Sequence, residues 1–241
     1  MTPIGRRLHL RKLFALMAGT GILATCQPSP PPTVTSPVQS NMYRHFALAR
    51  DLRSFAVTGD LDSLRITARA LSTARETWGM PPGSDRYLER LRAEATGAAE
   101  APDLEGAAVG VAQVARECGA CHLANNATLG DRFQVAQPLV DDPATRHINY
   151  LSWASRLLWN GLLGPSDRLW DIGARALADP DEVPAPHATH VPASEVERSR
   201  RRLSELGAQA ATVADPSARA DLLGRIWAEC GGCHTRAGLG R

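Results

Sequence analysis

Residues 103–122 read "DLEGAAVGVAQVARECGACH". Asp103 is a typical residue to open a helix. After it Leu104, Ala107, Val111, Val114, Cys118 and His122 recur every three or four positions, the period of a single helix face. The C-x-x-C-H of Cys118, Cys121 and His122 therefore closes a long helix rather than standing in a loop. Residues 215–234 repeat the plan. Asp215-Pro216 marks a helix start, with proline at the first helical position, and "ECGGCH" (229–234) ends the run as "ECGACH" (117–122) does.

The repeat extends over most of the chain. A shift of 106 lays "RDLRSFAVTGDLDSLRITARAL" (50–71) over "RLLWNGLLGPSDRLWDIGARAL" (156–177), so that Leu52 meets Leu158, Ile66 meets Ile172 and "ARAL" recurs. At the two C-x-x-C-H motifs the shift becomes 112, and the extra residues fit in "DPDEVPAPHATHVPAS" (179–194). A period near a hundred residues points to duplicated domains, since solenoid periods run about 20–50. Each half divides into four helices. The first half has stripes Met42, His45, Phe46, Ala49, Leu52, Phe55 (ended by Gly59), then Leu61, Leu64, Ala68, Leu71, Trp78. Next comes Leu88, Leu91, Ala95 with Ser84 as cap, and then the helix opened by Asp103. In the second half Asp142-Pro143, Ser166, the capping box "SEVE" (194–197) and Asp215-Pro216 mark the four starts, and Ile148, Leu151, Leu158 and Leu162 form the first stripe. Strand-like alternation is missing throughout. The expected fold is all-α, two tandem four-helix bundles, residues 41–126 and 143–241, joined by a linker over 127–142.

The start of the chain reads differently. Arg6, Arg7, Arg11 and Lys12 precede an apolar run from Leu13 to Leu23, too short to span a bilayer comfortably. Residues 1–25 therefore read as an export signal. Leu23-Ala24-Thr25-Cys26 looks like a bacterial lipobox, in which Cys26 is lipidated after cleavage; the alternative is an ordinary cleaved signal with Cys26 incidental. Residues 26–40, "CQPSPPPTVTSPVQS", are a Pro/Ser-rich tether unable to bury a core. The chain of 241 residues carries a formal +2. Without the four basic leader residues, 23 bases face 25 acids, about −2, which gives no support to nucleic-acid binding. Lys12 is the only lysine, so a docking surface on the processed chain has to use arginines or carboxylates.

Five cysteines are present, four of them in the two motifs. C-x-x-C-H is the attachment sequence of a c-type haem. Residues at i, i+3 and i+4 share a helix face, so two thioethers can anchor the vinyl groups while the imidazole reaches iron. A Cys₄ zinc site made from both pairs would join distant parts of the chain and leave both histidines unexplained. A thioredoxin-like dithiol would need a βαβ context that the sequence lacks. Two covalently bound c-type haems are the expectation.

Placement of the motif at the end of the last helix of each four-helix unit resembles the class II cytochromes c, the group of cytochrome c′, over about 41–126 and 143–241. The common small cytochromes carry the motif near their start and a methionine ligand downstream. Here Met1, Met17, Met42 and Met80 all precede both motifs. The resemblance implies thioether links at Cys118, Cys121, Cys230 and Cys233, with His122 and His234 as proximal iron ligands. It also implies that the first helix covers the distal face. Met42 or His45 could ligate iron in the first half; their counterparts under the shift, Ile148 and Leu151, cannot, while the adjacent His147 could. Core packing or a surface position is the competing reading for all three. The two haems are thus expected to differ, the second being five-coordinate.

The function expected is an electron carrier, not an enzyme: a di-haem cytochrome passing single electrons on the periplasmic side of a bacterial membrane. It would be held there by a lipid anchor and would serve a redox partner protein that the sequence does not identify. The alternative is capture of a diatomic gas, NO or CO, at a five-coordinate haem; a peroxidase-like activity would need His147 as its acid–base group. Class II bundles often pair through their helices, so a homodimer is a further option. His187 and His190 read as exposed loop residues, "ERSRRR" (197–202) as a solvated helix face, and Trp153, Trp159, Trp170 and Trp227 as core, with Trp227 also placed to meet a porphyrin edge.

Overall fold

The computed structural model describes residues 36–74, 79–127, 129, 136–137, 143–179 and 191–239. The export signal, Cys26, nearly all of the tether, most of the 127–142 linker, Trp78, His187 and His190 lie outside them. Among the described residues there are eight helices and no strand: α1 (Pro37–Thr58), α2 (Leu61–Thr73), α3 (Asp85–Glu100), α4 (Leu104–Ala124), α5 (Pro143–Leu163), α6 (Asp167–Ala178), α7 (Ala193–Ala210) and α8 (Pro216–Arg236).

Local sequence accounts for most of the boundaries. Asp103 accepts a hydrogen bond from the Gly106 amide at 2.9 Å, Asp215 from Ala218 at 2.8 Å and Ser166 from Leu169 at 3.4 Å. Each satisfies an amide that the helix leaves without an internal partner. Two starts differ from expectation. Ser84 precedes α3 but makes no side-chain cap; its hydroxyl is buried and lies 3.9 Å from the Cys121 thiol. The "SEVE" capping box does not form, because α7 begins at Ala193 behind Pro192. The Pro192 carbonyl takes the Glu195 and Val196 amides, and Glu197, the acid of the box, pairs with Arg200 and Arg201 instead.

Within each half, neighbouring helices run up and down. Gly110 of α4 lies against Ala98 of α3, and Arg65 of α2 donates to the Ala101 carbonyl at the far end of α3. In the second half Gly173 of α6 lies against Ala154 of α5, and Gly207 of α7 against Leu177 at the end of α6. The first helix also returns to the last, α1 to α4 and α5 to α8.

The halves meet through α4 and α8, the most extensive helix pairing in the molecule. It is antiparallel: Leu104 touches Gly231, Val109 touches Gly224, and the Gln113 amide donates to Ser217 and Asp221. The run "AAVGVAQVA" (107–115) explains this central position, because small side chains let the two backbones approach closely. The described residues form one compact unit with an apolar cluster drawn from all eight helices, so the halves share a core. Trp159, Trp170 and Trp227 are fully buried in it. Trp227 donates to Ser155 at 2.9 Å and its ring stands 5.5 Å from that of Trp159. These tryptophans fill core, each burial contributing roughly 2–3 kcal/mol.

Candidate functional site

Helix α4 runs unbroken through Cys118, Cys121 and His122, and α8 through Cys230, Cys233 and His234. All four sulfurs are free thiols on partly buried side chains. Because α4 and α8 are antiparallel, the motifs lie at opposite ends of the pair. Counting outward from the Val109–Gly224 crossing at about 1.5 Å per residue puts His122 and His234 about 35 Å apart along that axis. One zinc ion held by both cysteine pairs is therefore excluded by geometry.

Each motif is seated on the other half of the molecule. His122 Nδ1 lies 2.8 Å from the carbonyl oxygen of Leu163, at the end of α5. His234 Nδ1 lies 2.8 Å from the carbonyl oxygen of Val57, near the end of α1. Val57 and Leu163 are counterparts under the 106 shift, as the histidines are under 112. A carbonyl can only accept, so both rings carry a proton on Nδ1, which leaves Nε2 as the nitrogen available to a metal when the ring is neutral. This is the tautomer in which imidazole binds a metal, with the ring orientation held from behind.

The glycine inside each motif belongs to the same arrangement. A Cβ on Gly119 would overlap the Leu162 carbonyl oxygen, and one on Gly231 would come within 2.5 Å of the Ala56 carbonyl oxygen. Both glycines serve close approach to backbone, a requirement that the shared "CG" of the two motifs already contains. The glutamate before each motif is anchored as well. Glu117, 1% exposed, is held by Arg90 at 2.8 Å and Arg116 at 2.6 Å. Glu229 accepts from Ser199 at 2.5 Å, with Arg236 3.9 Å away.

Burial pushes the Cys118 thiol up to about 12, reinforced by Cys121 and Glu117, and the Cys230 thiol up to about 12, reinforced by Glu229 and Cys233. Cys233 is also raised by burial. Dithiol oxidoreductases depend on a depressed thiol pKa; these thiols are shifted the opposite way. Among the described residues no group of three or more His, Cys, Asp or Glu side chains is arranged to hold a metal ion. One imidazole beside two free cysteines suits a metal that arrives already held by a macrocycle. The residues present fit a covalently attached haem.

No protein-family model, no curated protein and no solved structure matches the chain.

The distal candidates stand at the appropriate ends. Gly79, in the α2–α3 connection near Ser84, lies against Pro37, which brings the start of α1 to the end of the first half that holds Cys121. His45 is buried there and Met42 half-buried. By the same up-and-down order, half-buried His147 near the start of α5 lies at the end that holds Cys233, while Ile148 beside it is exposed. None of the three is brought against its motif histidine by a described contact. No described helix is long and apolar enough to cross a membrane.

Proposed function

We propose that the protein is a di-haem c-type cytochrome of the class II kind, with one haem on each C-x-x-C-H, carrying single electrons on the periplasmic side of a bacterial membrane to which Cys26 anchors it. The observation that carries this reading is the duplicated histidine geometry, a proton held on Nδ1 by a backbone carbonyl of the other half, with Nε2 left to bind and two free cysteines in the same motif. Haem bound at these motifs would supply a one-electron Fe(III)/Fe(II) couple. The chain's own part is to hold each imidazole in one orientation, to shelter the partly buried first cysteine of each motif, and to keep the two sites at opposite ends of the α4–α8 pair. A spacing of about 35 Å along that axis suits two ports to separate partners better than a tightly coupled pair.

A specific asymmetry favours a second reading for one site. The first half has a buried histidine, His45, on the helix expected to cover the distal face; at the corresponding place the second half has Leu151. An iron without a sixth ligand there would bind NO or CO.

The deciding experiment is the absorption spectrum of the export-matured protein, oxidised and dithionite-reduced, before and after CO, with haem quantified per chain. Two covalent haems, low-spin and indifferent to CO, are the result for an electron carrier. A high-spin fraction that shifts with CO assigns gas binding to one site. Absence of haem overturns both.

A further inference from the structure

Arg53 of α1 is a guanidinium that the described residues leave uncompensated in the seam between the halves. Its Nε is buried and has no hydrogen-bond partner among the described residues, and no described carboxylate forms an ion pair with it. What faces it from α5 is another arginine, the exposed Arg156, likewise without an ion pair among the described residues. Helices α1 and α5 both pack on the α4–α8 pair, one from each half. Burial, and next to it the charge of Arg156, pulls Arg53 down to about 10. Taking a cation out of water is costly unless it is paired, and a second cation beside it adds to that cost. Elsewhere the fold pairs its partly buried arginines: Arg116 with Glu94 and Glu117, Arg219 with Asp167.

We infer that Arg53 and Arg156 form an anion-binding site between the two halves, taking an oxyanion of the carboxylate or phosphate class. Arg53 supplies a half-buried guanidinium with its Nε out of water and unpartnered, a fork suited to two oxygens, and Arg156 adds a second positive charge from α5. Arg53 lies one turn before Val57, whose carbonyl orients His234, so the occupant would tie the seam beside the second motif. Two sources share this chemistry: a free oxyanion from solution, and, resting on the haem reading above, a propionate of a haem attached at Cys230 and Cys233.

The test uses the export-matured full chain and the variants R53Q and R156Q, with haem per chain measured on every sample. Thermal unfolding is followed while inorganic phosphate replaces chloride at constant ionic strength, and the midpoint of each haem is titrated spectroelectrochemically. For a free oxyanion, Tm of the unaltered protein rises by about 5–10 °C at phosphate a hundredfold above its Kd; the rise disappears in both variants while the haem midpoints stay in place. For a propionate, phosphate has no effect, and both variants displace the midpoint of one haem and leave the other unchanged. The inference is overturned if R53Q is at least as stable as the unaltered protein at every phosphate concentration and neither variant moves a midpoint. Should the samples contain no haem, the cytochrome reading fails by that count, and the phosphate series alone decides the anion site. R156Q replaces an exposed side chain, so it reports even where R53Q folds poorly.

Discussion

The imidazole of His122 hands its Nδ1 proton to the carbonyl of Leu163, 2.8 Å away and in the opposite half of the chain. His234 does the same to Val57. Each half therefore completes the other's site, which gives the two glycines inside the motifs a role beyond spacing.

Substituting alanine for Gly119 or Gly231 should be costly. In both cases the new methyl meets a carbonyl of the other half's first helix, a rigid neighbour. Overpacking of this kind costs about 1–3 kcal/mol, and moving the helix end would also lengthen the histidine hydrogen bond. Urea unfolding should show that loss for G119A and G231A. Alanine at Gly97, where a Cβ meets nothing within 4 Å, should be neutral or slightly stabilising by helix propensity.

The glutamates before the motifs should not be equivalent. Glu117 is 1% exposed and has two arginine partners, whereas Glu229 is 25% exposed and rests mainly on a serine hydroxyl. E117Q leaves two guanidiniums facing a neutral amide in a buried place and should cost about 2–4 kcal/mol. E229Q keeps an acceptor for Ser199 and should cost about 1 kcal/mol. Equal losses in denaturant titrations of the two variants would contradict this ranking.

How much of this could be read from the sequence depends on range. Asp103, Ser166 and Asp215 open their helices as expected, because an N-cap is settled within four residues. Ser84 and the "SEVE" box had equally good local credentials; Ser84 lies against the distant Cys121 instead, while the box gives way to an earlier start behind Pro192, with Glu197 paired to Arg200 and Arg201. The motif cysteines and histidines were legible from spacing alone. Their exchange across the halves was not, since periodicity says which face of α4 is buried without saying what buries it. The signal was nonetheless present in the two shifts, where 106 pairs Val57 with Leu163 and 112 pairs His122 with His234.

Stability of the chain without haem should fall above pH 9. Cys118 and Cys230 are acids whose folded pKa, about 12, lies above the ordinary 9.0. The folded chain keeps protons that the unfolded chain releases, so the stabilisation is whole below pH 9 and is lost as pH climbs toward 12. The slope is up to about 1.4 kcal/mol per pH unit for each thiol. Arg53 acts in the opposite sense over part of that range, its pKa being lowered from the ordinary arginine value to about 10. Comparison with C118A/C230A removes this contribution, and the difference between the two Tm-against-pH curves should isolate the thiols. Thioether formation abolishes their titration, so the haem-loaded protein should follow the alanine variant.

The exchange of carbonyls also predicts how the chain behaves when divided. Residues 143–241 alone lack Val57 and Ala56, against which His234 and Gly231 are set, and they lack α4, the main partner of α8. Exposing that face would open to water the stretch of α8 around Gly224 and Gly231, set against Val109, Leu104 and Ala56 in the whole chain. Apolar area re-exposed along that seam costs about 25 cal/mol per Å², set against a total of only about 5–15 kcal/mol that holds a domain together. Exported separately, either half should therefore be retained poorly and carry little haem. Exported together as two chains broken between residues 127 and 142, they should co-purify as a one-to-one complex with both motifs loaded. Two stable, fully loaded, non-associating halves would show instead that the α4–α8 contact is dispensable and that each histidine finds its orientation within its own four helices.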